Sequence, residues 1–235
     1  MSKNIKKSLI TNLILFTVLV GFFSVTVIPN SIVPVYNYIN VNPYYNGNKN
    51  EKRVSLMFNV YENSDLVCNI VDTLKEFNVN ATFFVGGCWA DDNEKTLNYI
   101  LENGNEIGNH GYFHKQHENL SYEQNYNEIS NNHKLIKALC DYQMSLFAPP
   151  SGSFSENTLE ACYDLNYKVI MWSKDTIDWR DKEINKIIKR ATNNPKNGDL
   201  ILMHPKSHTL LALKPIIEYY IDKGFKIVTV SENIS

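Results

Sequence analysis

The strongest constraint on the fold of this chain is an alternation that begins at Arg53 and runs to the C-terminus. Short apolar runs at 54–58, 81–85, 105–109, 145–148, 168–172, 200–203 and 226–230 have the length and content of buried strands. Between them lie segments at 65–77, 93–103, 122–139, 156–165, 182–191 and 209–223, whose apolar residues recur at helical spacing. Strands joined through a helix pair in parallel, so this pattern describes βα units on a parallel sheet. Seven or eight such units favour a closed barrel over an open sheet. A barrel of this kind gathers its functional side chains at the C-terminal ends of the strands.

The rest of the sequence bounds the reading. A chain of 235 residues is long enough for one large α/β domain with a full core. A net charge of -2 gives no electrostatic footprint for nucleic acid. Cys68, Cys88, Cys140 and Cys162 are scattered, with no C-x-x-C pair, so neither a thiolate zinc site nor a disulfide framework is expected. Lys3, Lys6 and Lys7 precede an apolar run at 9–28, about the length that spans a bilayer. The basic flank would keep the N-terminus inside and the rest outside. A secretory signal peptide is the rival, but no convincing small-x-small cleavage site follows. The expectation is a signal anchor over 1–28, an Asn-, Tyr-, Pro- and Gly-containing linker over 29–50, and an extracytoplasmic domain over 51–235.

The expected strand ends carry residues with chemistry. Asn59, Val60 and Tyr61 follow the first run, and His110 and His114 follow the third. Pro149, Pro150, Ser151 and Gly152 follow the fourth, and Trp172, Asp175, Asp178 and Trp179 the fifth. His204 and His208 follow the sixth. Two imidazoles four residues apart share a face if a helical turn starts there, and paired imidazoles suit zinc. Each residue also has a plainer reading. Asp175 can start a turn or cap a helix. Trp172 and Trp179 can be packing residues. Pro149 and Pro150 make at minimum a rigid turn. His133 falls within an expected helix and is set aside.

The order of these motifs resembles the polysaccharide deacetylases of the NodB-homology superfamily, carbohydrate esterase family four. The resemblance covers the domain from about Arg53 to Ser235. His110-Gly111-Tyr112-Phe113-His114 matches H-[ST]-x-x-H in both metal-binding histidines, with Gly111 for the usual hydroxyl residue. Asp175-Thr176-Ile177-Asp178-Trp179 matches D-x-x-D-W, and Leu202-Met203-His204 matches L-x-H. The resemblance implies a distorted seven-stranded (β/α) barrel, a divalent metal such as zinc, and hydrolysis of N-acetyl groups on cell-wall glycan. Two motifs depart. Where the family has T-F-D-D-G this chain reads Met57-Phe58-Asn59-Val60-Tyr61, so Asn59 replaces the base and Val60 a metal ligand. Where the family has R-x-P-Y-G it reads Ala148-Pro149-Pro150-Ser151-Gly152, so Ala148 replaces the arginine that orients the base. These paired losses look like a settled variant, similar to the sporulation-associated deacetylase-like proteins of spore-forming bacteria.

Two functions follow as expectations. In the first, the chain is a metal-dependent deacetylase. His110 and His114 hold the metal, and His208 is the leading third ligand, ahead of His117 and Asp65. Ser151 N–H then stabilises the oxyanion, and His204, charged by Asp175, protonates the leaving amine. Asn59 occupies the place of the base, and Trp179, Pro150 and Trp172 contact the sugar. Losing the base costs roughly 10²–10⁴-fold, so turnover would be slow. In the second, the barrel is a glycan-binding or scaffold protein that no longer catalyses.

Overall fold

The computed structural model describes residues 3–27 and 41–235, with side chains for 5–20 and 41–235. The chain divides into two compact units, Met1–Ile39 and Asn40–Ser235. The described part of the first is one helix, α1 (Lys3–Val27). Its side chains from Ile5 to Val20 are exposed. The expected membrane span is not borne out: among the described residues no helix is long and apolar enough to cross a membrane. Thr11, Asn12 and Thr17 dilute the run, and both threonines turn their hydroxyls back onto helix carbonyls. The remainder of the apolar run, 21–28, lies outside the described side chains.

The second unit is a parallel sheet with helices packed on it. Its strands are β1 (Arg53–Val60), β2 (Thr82–Val85), β3 (Glu106–Asn109), β4 (Leu146–Phe147), β5 (Lys168–Val169), β6 (Lys174–Asp175), β7 (Leu200–Met203) and β8 (Lys226–Ile227). The order is β5-β4-β3-β2-β1-β7-β6, with β8 also paired to β1. All seven strand pairings are parallel, as the alternation required. The barrel is not closed by hydrogen bonds, because β5 and β6 are both edges. Part of the stretch read as linker mends this: Tyr44 pairs with Ile170 and Asn46 with Asp199.

The helices are α2 (Ser64–Glu76), α3 (Gly87–Ala90), α4 (Glu94–Glu102), α5 (Tyr122–Cys140), α6 (Glu156–Asp164), α7 (Ile184–Thr192), α8 (Ser207–Asp222) and α9 (Val230–Asn233). The end of the seventh expected strand is turned into α9, where the Thr229 side chain accepts the Glu232 N–H. α5 starts on a capping box between Ser121 and Gln124, a device that contributes about 1 kcal/mol.

Side-chain alternation along β1 divides the core. Val54, Leu56, Phe58 and Val60 pack outward against the helices. Met57 joins Phe84, Leu146, Ala148, Ile170, Leu200, Leu202 and Val230 in a second apolar layer. That these residues from separated strands meet in one cluster shows that the sheet curls around it. Asn59 is the next residue of β1 on that inner side, so it stands where the packing ends and a cavity begins.

Candidate active site

A cavity of about 630 Å³ opens at the C-terminal ends of the strands. Asn59, His110, His114, Ser151, Trp172, Asp175, Trp179 and His204 all line it, so the structure brings together most of the residues singled out from sequence. Others do not join them. Pro150 is buried and faces Gly111 instead of the cavity. His208 gives its Nε2–H to the backbone carbonyl of Asp178 at 2.7 Å and is not among the cavity-lining residues. Val60 is wholly buried in the outer core.

The H-x-x-x-H stretch is a loop, so the two imidazoles converge by a different route from a helical turn. The chain reverses through left-handed positions at Gly111 (φ 72) and His114 (φ 55). A buried polar frame holds this loop. Glu128 Oε2 accepts the N–H groups of Tyr112 and Phe113 at 3.0 and 2.8 Å, and Lys115 pairs with its other oxygen at 2.9 Å. Asn132 donates to the carbonyls of Val85 and Gly111, and Asn109 Oδ1 takes the Gly111 N–H. Asn125, Glu128 and Asn132 follow one face of α5. That buried polar face was the missed sequence signal for a supported loop.

The result is two imidazole rings in edge contact, centroids 5.1 Å apart. His110 donates Nδ1–H to the Ala148 carbonyl at 2.7 Å, leaving its Nε2 lone pair for the other side. Burial, with His114 adding to it, pushes the His110 pKa from 6.5 down to about 3. Burial and then His204 lower that of His114. His117 is fully buried, gives Nδ1–H to Asn125 Oδ1 at 2.6 Å, and leaves Nε2 without a partner beside Gly111. Asp65 is exposed at the start of α2, away from the cavity lining.

The partner of His204 is Asp178, in place of the expected Asp175. Asp178 Oδ1 accepts His204 Nδ1–H at 2.8 Å, and Oδ2 accepts the His204 N–H at 2.7 Å and the Thr209 hydroxyl at 2.6 Å. This fixes the ring and leaves Nε2 as its free nitrogen. Asp175 accepts the Ile177 N–H at 2.7 Å, the turn role that its plainer reading gave it, yet it also lines the cavity. Ser151 takes a left-handed φ of 56, and its hydroxyl accepts from Gln116.

Tyr61, given no role from sequence, and Glu62 and Lys206 also line the cavity. Tyr61 sits over His114, ring centroids 4.8 Å apart, and Gly86 makes room for it, since a Cβ there would meet the Tyr61 ring at 2.5 Å. Glu62 and Lys206 form an ion pair between the β1 and β7 loops. Tyr61 stands where the family motif has glycine, which is the signal that could have drawn attention to it.

The donor set does not fit the expected metal. Two neutral imidazoles are present, but Val60 offers hydrocarbon where a carboxylate is needed. Among the described residues no group of three His, Cys, Asp or Glu side chains is placed to hold an ion. Asn59 supplies an amide where a base is needed, and its Oδ1 is buried without a partner.

The polysaccharide deacetylase family profile matches residues 46–170, over half of the chain. Uncharacterized protein YlxY of Bacillus subtilis is 31% identical over 190 residues, 81% of this chain and 60% of its own length. A peptidoglycan-N-acetylglucosamine deacetylase of Bacillus cereus is 31% identical over 206 residues, 86% of this chain and 73% of its own. Among solved structures, a CE4 family pseudoenzyme from Bacillus anthracis superposes with a TM-score of 0.80 at 32% identity, covering 83% of this chain and 69% of its own. A mutant of that pseudoenzyme, described as having restored enzymatic activity, superposes equally well. The parallel sheet, the order of the motifs at its strand ends and the matched profile lead to one conclusion: the chain belongs to the polysaccharide deacetylase family, the NodB-homology lineage of carbohydrate esterase family 4.

Proposed function

We propose that this chain is a catalytically silent deacetylase-family protein that binds hexosamine glycan of the cell-wall type. One observation carries the reading. The cavity keeps His204 locked on Asp178, yet Asn59 and Val60 put an amide and a hydrocarbon where the family has the carboxylates of its base and of a metal ligand. An amide accepts a hydrogen bond but not a proton at neutral pH, so Asn59 can position a sugar and cannot activate water. His204 Nε2, the Ser151 loop and the exposed face of Trp179 remain to bind it. Peptidoglycan deacetylases among its relatives support cell-wall glycan as the ligand class.

Deacetylation by a rebuilt site is the second reading. Retention of the His204–Asp178 pair and of His110 with its Nε2 free favours it. Calorimetric titration with soluble muramidase fragments of peptidoglycan tests the first. Binding should weaken at least roughly tenfold in Trp179→Ala, the size of a lost aromatic anchor. Absence of binding to every fragment would overturn it.

A further inference from the structure

The charges of the cavity point to one chemical state of the glycan. Successive side chains of β6 go to opposite sides of the sheet. Lys174 turns toward Asp199, 3.6 Å away, while Asp175 turns into the cavity. Asp175 is half-buried, gives Oδ1 to the Ile177 N–H, and makes no ion pair among the described residues. The nearby cations are already engaged. Lys206, the one Lys or Arg among the lining residues, is held by Glu62. Arg180 is bidentate on Asp181 at 2.9 and 3.1 Å, and Arg190 binds Asp181 and the Thr176 carbonyl.

The cavity thus presents a carboxylate with no ion-pair partner among the described residues, beside the rings of Tyr61, Trp172 and Trp179, the last with Arg180 over it at 5.8 Å. A carboxylate with aromatic faces around it recognises a cation, through a charge-assisted hydrogen bond and cation–π attraction. An acetamide offers that carboxylate only a neutral N–H, weaker than a charged donor, and a sugar bearing its own carboxylate would find no unpaired cation among the lining residues. Resting on the silent glycan-binding reading, we infer that the ligand is de-N-acetylated glycan. Its free ammonium is received by Asp175, and its ring faces lie on Trp172 and Trp179. The chain then recognises the product of an N-deacetylation that it does not perform, so a deacetylating activity must supply its ligand.

The test is calorimetric titration of the full chain at pH 6, where such an amine is charged. The probes are a β-1,4-linked glucosamine hexamer and its fully N-acetylated counterpart, with acetate measured in the same samples. The free-amine hexamer should bind about tenfold tighter, as expected for one hydrogen bond to a charged group. That preference should fall to near unity in Asp175→Asn, whose amide oxygen can keep the turn to Ile177. If that variant shows no cooperative melting, Asp175→Ser replaces it, with a hydroxyl for the same turn. Equal or tighter binding of the acetylated hexamer overturns the inference and leaves the glycan-binding reading standing. A preference that survives in the Asp175 variant also overturns it, because the discriminating charge then lies elsewhere. Binding of neither hexamer overturns both readings, and acetate release overturns the silent one.

Discussion

Asp178 Oδ1 stands 2.8 Å from His204 Nδ1, and the other oxygen of the same carboxylate takes the His204 backbone N–H at 2.7 Å. One buried side chain therefore sets both the ring and the backbone of the residue expected to act as the acid. A third bond, from Thr209, ties the pair to the first turn of α8.

This predicts an asymmetry between the two acidic residues of one motif. Asp178→Ala removes three accepted hydrogen bonds from a buried site, and it should cost roughly 3 kcal/mol of unfolding free energy. Asp175→Asn keeps its turn and should cost under about 1 kcal/mol. Urea denaturation of the two variants beside the parent chain checks both. Equal losses would contradict the assignment of the structural role to Asp178.

Gly111 offers a second contrast. Its φ of 72 is a left-handed position, and a Cβ there would lie 3.1 Å from His117 Nε2. Gly111→Ala should lose about 1–2 kcal/mol through strain and the close contact. Gly111→Ser suffers the same strain, but its hydroxyl can donate to the unpartnered Nε2 of His117. It should be the more stable of the two by about 1 kcal/mol. Thermal or urea melts of both variants measure the difference, and a serine variant no better than the alanine one would contradict this account of His117.

Acid should weaken the fold from near neutral pH downward. Burial first, then His114, lowers the pKa of His110 from 6.5 to about 3, so the folded state favours the neutral ring. A depressed histidine contributes stability that is present above 6.5 and is lost as pH falls toward 3. Asp178 adds to this at lower pH. Burial by itself would raise its pKa, but the hydrogen bonds and charge of His204 and the bond from Thr209 hold it below 3.8. Its contribution is present above 3.8 and is lost as pH falls through the depressed value. Melting temperature followed from pH 7 to 4 should fall, and fall less steeply in His110→Gln. An unchanged slope in that variant would contradict the buried neutral state of His110.

Much of the architecture is legible in the sequence because a buried parallel sheet announces itself: apolar runs such as 54–58 and 200–203 have nowhere else to go. The short strand Lys174–Asp175 is not legible, since a two-residue edge strand leaves no periodicity to read. Nor is the role of Tyr44 and Asn46, whose pairing with the sheet depends on a gap that only the curled sheet creates. At the site, the residues that converge were readable from their places at the strand ends. Their partners were not. The pattern D-x-x-D offers two carboxylates for one imidazole, and the backbone turn, invisible in sequence, chooses Asp178. His208 has the right spacing from His204, but the first turn of α8 sets its Nε2 on the Asp178 carbonyl, and the ring does not reach the cavity lining.

Acetate release by the full wild-type chain from N-acetylated peptidoglycan fragments, with zinc supplied and His204→Ala as the control, tests the central claim most directly. A site with Asn59 for its base and Val60 for its third ligand predicts release no greater than in buffer and no difference between the two proteins. Zinc-dependent release that disappears in His204→Ala would contradict the claim and restore the chain to the active deacetylases.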